Sequence, residues 1–275
     1  MPEPEPEPEP EPTQVNEYFL GVDAARFSVV SFASDATTRV PWSMNASEIN
    51  AGIDEMRAKH KTSISDGFEL AQQIFADDSR PNATKVLLML SDGEQTVDAA
   101  PNRTLFQTSV DAAALVRAEN VTVFAWGFGQ NISNTTLQQI AIEQSRAILV
   151  QDLTDLTSYL AGLEADLCNV SPLPPPPALS PPPPSPPAPS PSPPPPSAPP
   201  SASPPPAPPS PKPPCATPID FVLVLDESYS MNRYLDDKGR EEQDEGINQP
   251  NYMDGPNGVK ALAKGLVRHA ALKPR

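Results

Sequence analysis

The residues best suited to chemistry fall in one short string, Asp226-Glu227-Ser228-Tyr229-Ser230, which ends the apolar run Ile219-Asp220-Phe221-Val222-Leu223-Val224-Leu225. Alternate residues leaving a strand face the same side, so Asp226, Ser228 and Ser230 present one carboxylate and two hydroxyls together. Hard oxygen donors at that density suit Mg2+ or Ca2+ rather than zinc. The same serines also serve as a helix cap and turn, an alternative that the pattern leaves open. Two other strings carry polar oxygens beside regular elements. Lys61-Thr62-Ser63-Ile64-Ser65-Asp66-Gly67 precedes a helical pattern, and Leu90-Ser91-Asp92-Gly93-Glu94 closes a second apolar run. Weaker candidates fall away: Gly127-x-Gly129 lacks the third glycine of a dinucleotide loop. The acidic string Asp236-Asp237-Lys238-Gly239-Arg240-Glu241-Glu242 departs from EF-hand spacing and reads as a solvated loop. With only two histidines, His60 and His269, and two cysteines, Cys168 and Cys215, no Ser/His/Asp set or Cys/His pair is placed for nucleophilic catalysis. Two cysteines also exclude a four-thiolate zinc site and a dense disulfide scaffold.

The elements that must position these strings are legible from periodicity. Strand runs lie at residues 25–32, 37–42, 85–90, 121–126, 147–150 and 219–225; the run at 85–90 is nearly all apolar, as a strand covered on both faces should be. Helical spacing marks residues 46–58, 65–76, 109–119, 135–143, 156–167 and 259–271. Strands alternating with helices predict an α/β fold, a doubly wound, mostly parallel sheet with helices on both faces.

Composition divides the chain. Of 40 prolines in 275 residues, six sit in the opening Glu-Pro repeat and 27 between Pro172 and Pro214. Residues 1–14 predict an extended, solvated tail, because proline fixes φ and like charges repel. Residues 171–214 hold Ser, Pro and Ala with one charge, Lys212, and predict a polyproline II spacer reaching roughly 130 Å at ~3.1 Å per residue. Residues 15–170 and 215–275 have globular content. The net charge of −16 argues against nucleic-acid binding, which needs a basic face, and against docking on anionic lipid. No apolar run approaches the ~18 residues of a membrane span, and the acidic, proline-alternating start is not a secretory signal.

Taken in order, the strings resemble the von Willebrand factor A domain, the integrin I-domain fold. Asp226, Ser228 and Ser230 match the Asp-x-Ser-x-Ser loop that opens the family's metal-ion-dependent adhesion site after its first strand. The resemblance places Thr62 of Lys61–Gly67 and Asp92 of Leu90–Glu94 at the same kind of metal. It also matches Phe124–Gly129 and Leu137–Ala141 to the family's fifth strand and following helix. What it implies is a non-enzymatic module holding Mg2+, or Ca2+ or Mn2+, and binding a protein partner that offers an acidic side chain to the metal.

The sequence departs from the family in one respect. Residues 15–170 lack the first strand and its metal loop, and residues 215–275 hold only that strand, the loop and the first helix. In the family's sheet order, 3-2-1-4-5-6, the missing strand is central; without it, strands face each other across unpaired backbone groups. Two accounts fit. Either the chain is a window on a tandem array, with 215–275 opening a second unit and Thr62 and Asp92 belonging to a different unit from Asp226, or the last segment fills the gap, in cis or from another copy. The array accommodates Cys168 and Cys215, which flank the proline run as the terminal cysteines of neighbouring units; a bond between them and two free thiols both remain open. Seven N-x-[ST] sequons, at Asn45, Asn82, Asn102, Asn120, Asn131, Asn134 and Asn169, point to a secreted glycoprotein of the extracellular or cell-wall matrix. The rivals are an intracellular A-domain scaffold in a multiprotein complex and a wall-structural glycoprotein, since the Ser-Pro run resembles hydroxyproline-rich wall stalks.

Overall fold

The computed structural model describes residues 20–151, 153–160, 162–163, 217–231, 252–255 and 258–271. The Glu-Pro repeat, the proline run, Cys168 and Cys215, Asn169 and the acidic string 236–242 lie outside the described residues.

The elements are β1 (Ala25–Phe32), β2 (Ala36–Ser43), α1 (Ala46–Asp54), α2 (Ile64–Asp78), β3 (Thr84–Gly93), α3 (Leu105–Ala118), β4 (Val121–Asn131), α4 (Asn134–Ala141), β5 (Ala147–Val150), α5 (Leu153–Leu156), β6 (Ile219–Asp226) and α6 (Val259–Ala271). They form one six-stranded sheet of order β2-β1-β6-β3-β4-β5. Only β2 runs antiparallel, against β1.

The last strand of the chain therefore lies in the middle of the sheet. β6 pairs parallel with β1 from Ala25↔Ile219 to Phe32↔Asp226, and with β3 from Thr84↔Ile219 to Leu90↔Leu225. All eight of its residues are buried, as its unbroken apolar composition requires of a strand covered on both faces. The alternation of the pleat divides it. Ile219, Phe221, Leu223 and Leu225 join the cluster under α1, α5 and α6, while Val222 and Val224 join the cluster under α2, α3 and α4. Within this chain β6, from the segment expected to open a second unit, lies between β1 and β3, where the family's first strand was missing.

α6 follows the same logic. Val259, Leu262, Ala263, Leu266, Val267 and Ala270 recur at helical spacing and are all buried against the sheet. Its end meets the start of the body, where Leu20 N donates to Ala270 O at 2.7 Å.

One helix is shorter than its periodicity predicts. α1 stops at Asp54 instead of Ala58. The next residues are held elsewhere: Arg57 N donates to Glu227 Oε2 at 3.3 Å and Lys59 N to Glu227 O at 2.7 Å. Where a helix is expected from residue 156, α5 begins earlier, at Leu153, a 3-10 turn follows over Thr157–Tyr159, and residues 161 and 164–167 lie outside the described residues. α3 starts four residues earlier than its apolar pattern, because Thr104 and Gln107 form a reciprocal capping box at its start.

Candidate metal centre

The three strings that carry Asp226, Asp92 and Thr62 each leave the carboxyl end of a strand or enter a helix on the same rim of the sheet. β6 delivers Asp226 and the loop after it; its neighbour β3 delivers Ser91 and Asp92; the loop between α1 and α2 delivers Thr62. In open α/β sheets this rim is where ligands bind.

The side chains form a continuous polar chain. Ser228 N donates to Asp226 Oδ1 at 2.8 Å, and Ser91 Oγ donates to Asp226 Oδ2 at 2.6 Å. The Ser228 and Ser230 hydroxyls lie 2.8 Å apart. Ser230 Oγ donates to Asp92 Oδ1 at 2.7 Å. Thr62 joins them across Gly93. A Cβ added to Gly93 would lie 3.8 Å from both Ser230 Oγ and Thr62 Oγ1, so the two hydroxyls flank one small cradle. Thr62 is fixed by its backbone: its N–H donates to Thr96 Oγ1 at 2.9 Å, and Thr96 N donates to Thr62 O at 2.8 Å. Thus Asp226, Ser228, Ser230, Thr62 and Asp92, which the tandem-array account divides between units, converge within one chain.

Electrostatics set the character of the site. Asp226 is fully buried and Asp92 nearly so, at 0% and 1% exposure. Burial, and then the Asp92 carboxylate, push Asp226 up to about 7, against the hydrogen bonds from Ser91 and Ser228 that favour its ionised form. Two carboxylates and three hydroxyls, without a nitrogen or sulfur donor, are a hard-oxygen set suited to a divalent cation. Among the described residues no group of three or more His, Cys, Asp or Glu gathers as a metal cage, so two carboxylates are the most that this rim brings together. The set opens onto a cavity of about 640 Å³, whose lining includes Thr62, Gly93, Ser228 and Ser230, with exposed His60 and Lys61 at its edge.

Four supporting residues escaped sequence reading. Ser91 and Thr96 were within or beside a recognised string, but nothing local distinguishes a hydroxyl that aims at a ligand. Gln95 ties the two loops: its Oε1 accepts from Ser65 N and its Nε2 donates to Ser65 Oγ, both at 2.9 Å. Glu227 occupies the unspecified position of Asp-x-Ser-x-Ser. It is fully buried and accepts from Arg39 Nη2 at 2.7 and 2.9 Å, and pairs with Lys59 Nζ at 2.9 Å. These contacts pin the loop below its exposed side.

A doubly wound sheet with an Asp-x-Ser-x-Ser loop, a threonine and an aspartate on one rim defines a class of α/β domains that bind proteins through a metal. A family model of the von Willebrand factor type A domain matches residues 13–161, and the chain belongs to that family. The matched stretch ends before β6, which supplies the middle of the sheet.

Individual relatives cover the chain only in part. A UPF0353 protein of Mycolicibacterium paratuberculosis is 31% identical over 113 residues, 38% of this chain and 33% of that protein; the chain thus spans about one third of its length. The solved structure of proximal thread matrix protein 1 from the mussel byssus is 28% identical, with a TM-score of 0.43 over 52% of this chain and 36% of that one. A second structure of the same byssus protein, described as having a zinc-occupied MIDAS motif, is 24% identical, with a TM-score of 0.43 over 55% of this chain and 35% of that one. BatB from Bacteroides thetaiotaomicron is 16% identical, with a TM-score of 0.41 over 52% of this chain and 80% of that one. Domains of this family commonly mediate metal-dependent protein binding, and no described helix is long and apolar enough to cross a membrane.

Proposed function

We propose that the chain is a non-enzymatic, metal-dependent protein-binding module of the extracellular or cell-wall matrix. The observation that carries the reading is the convergence of Asp226, Ser228, Ser230, Thr62 and Asp92 on one rim. These five would hold Mg2+, or Ca2+ or Mn2+. A bound cation supplies an open coordination position for an acidic side chain of the partner. The chain's own residues prepare that contact. Ser91 and the Ser228 amide orient the Asp226 carboxylate, Ser230 orients Asp92, and Thr96 fixes Thr62. Exposed Lys61 and His60 beside the cavity favour an acidic approach.

The extracellular setting is supported by the sequons. All six described sequon asparagines, Asn45, Asn82, Asn102, Asn120, Asn131 and Asn134, are exposed, as a modified side chain must be. Passage through a eukaryotic secretory host should give a mass excess that glycosidase removes; an unshifted mass contradicts this part of the reading.

Partner binding is tested on an array of paired peptides that differ only in Asp or Glu against Asn or Gln. The full chain should be retained by acidic members in millimolar Mg2+, and released by EDTA or by Asp92→Ala. Equal retention in EDTA contradicts the mechanism.

A further inference from the structure

We propose that Asn131 carries an N-linked glycan that stands over the metal cavity and keeps folded partners from it, so that occupancy of this one sequon sets what the rim binds. The proposal rests on the extracellular, metal-dependent reading above.

Position is the first observation. The sequon Asn131-Ile132-Ser133 leaves the carboxyl end of β4, on the rim that holds the metal centre. Of the six described sequon asparagines, Asn131 is the one that lines the cavity, together with Thr62, Gly93, Ser228 and Ser230. It pairs with Gly93 across the β3–β4 ladder, and Glu94 N donates to Asn131 O at 3.1 Å. Neighbouring strands lie about 4.8 Å apart. The attachment point therefore stands one strand spacing from the glycine whose absent Cβ would lie 3.8 Å from both Ser230 Oγ and Thr62 Oγ1.

Rigidity is the second. Glu94, two residues past Asp92, accepts from Ser133 N at 2.9 Å and from Thr136 Oγ1 at 2.7 Å. Ser133 Oγ accepts from Thr136 N at 3.1 Å as the cap of α4, and Ile132 is buried. The loop that supplies Asp92 thus grips the sequon, while the Asn131 side chain is exposed and no described residue holds its amide. A glycan there projects from a fixed base at the cavity mouth; on a mobile loop it would swing away.

Size decides the effect. The cavity, about 640 Å³, admits a side chain or a short loop of the partner. An N-linked glycan is bulky and hydrated, and the volume it sweeps beside the metal excludes a folded partner. It engages none of Asp226, Ser228, Ser230, Thr62 and Asp92, so the cation itself is left alone. The modification is a group transfer from a lipid pyrophosphate-linked oligosaccharide. The C1–O bond to phosphate breaks, C1 bonds to Asn131 Nδ2, Nδ2 gives up one proton, and the lipid pyrophosphate leaves with the electron pair.

The test compares the full chain from a eukaryotic secretory host with the same chain from bacterial cytoplasm, which adds no such glycan. Mass spectrometry of the Asn131 peptide gives occupancy. Retention is measured in millimolar Mg2+ on an acidic peptide displayed on a folded carrier protein, against its amide counterpart. Asn131 should be occupied in the secreted chain, and that chain should be retained several-fold more weakly than the bacterial one. Asn131→Gln should close this gap. Ser133→Thr, which keeps both sequon and helix cap, should leave it open, as should Asn120→Gln at the amino end of β4. The gain in Tm with Mg2+ should be the same from both hosts. An unoccupied Asn131 beside occupied sequons elsewhere overturns the proposal and spares the extracellular reading. A gap that persists in Asn131→Gln overturns it, as does an occupied Asn131 with no gap. A Tm gain confined to the bacterial chain also overturns it, because the glycan then disturbs the metal and not the partner. If no sequon is occupied, the extracellular reading falls too; if neither host's chain is retained in Mg2+, the metal-dependent reading falls too.

Discussion

Replacing Asp220 by asparagine should separate buried from exposed charge within a single arginine. Arg26 bridges two carboxylates. Asp220 is fully buried and bound through Nε at 2.8 Å and Nη2 at 3.1 Å; the side chain of Asp78 is 75% exposed and bound at 3.4 Å. Asp220 also accepts from Arg80 N and Nε, both at 2.7 Å. Asp220→Asn leaves two guanidiniums, only 13% and 21% exposed, without their shared counter-ion. Removing one partner of a buried pair costs about 3–5 kcal/mol, against less than about 1 kcal/mol for the exposed Asp78→Asn. At about 2–4 °C per kcal/mol for a domain of this size, the first should lower Tm by about 6–20 °C and the second by at most a few degrees. Thermal unfolding of the full chain, followed through buried Trp126, measures both.

The pH dependence has a fixed sign. Burial pushes the Asp220 carboxyl up, but the hydrogen bonds and charges of Arg26 and Arg80 more than offset this and hold it below the usual range. Its contribution is complete above the unfolded value near ~3.9 and is lost as pH falls through the lower folded value. The gap between wild type and Asp220→Asn should therefore close in acid. A loss below about 1 kcal/mol at neutral pH, or one equal to that of Asp78→Asn, would refute the clamp and with it the insertion of β6.

Glu227→Gln should destabilise the fold by about 3 kcal/mol, because Arg39 and Lys59 lose their fully buried counter-ion, and it should weaken Mg2+ binding measured by calorimetry by loosening the Asp226–Ser230 loop. Gly67→Ala places a methyl 2.9 Å from Val224 Cγ1 and 3.1 Å from the Phe32 ring, and should cost about 1–3 kcal/mol in urea unfolding through overpacking between α2 and β6. Gly129→Ala meets nothing nearer than 3.5 Å, but holds φ at +78°, and should cost about 1 kcal/mol from the backbone alone.

The local strings were legible because each site residue sits next to a strand end or helix start that periodicity marks. β1 at Ala25–Phe32 and α6 at Val259–Ala271 match their predicted runs residue for residue. The assembly was less legible. Arg26 and Asp220 are separated by 194 positions, and the pattern of β6 is satisfied equally by its own slot or another unit's. Sequence therefore left two accounts standing, and only one of them brought Thr62 and Asp92 to Asp226. The early end of α1 was hidden for the same reason, since Glu227, which draws Arg57 and Lys59 away from the helix, lies about 170 residues further on. Gln95 and Glu227 were unreadable because a buried polar residue acts through partners that no local pattern names.

The central claim is that Asp226, Ser228, Ser230, Thr62 and Asp92 hold one divalent cation in the folded chain. Thermal unfolding of the full chain with and without millimolar Mg2+ tests it most directly. A ligand bound only by the folded state, at ~100 times its Kd, adds about 2.7 kcal/mol, which for a domain of this size is about 5–10 °C. Wild type and Asp236→Ala should gain that much, whereas Asp226→Ala and Asp92→Ala should gain nothing. No gain in wild type, or an equal gain in wild type and both rim variants, would contradict the account.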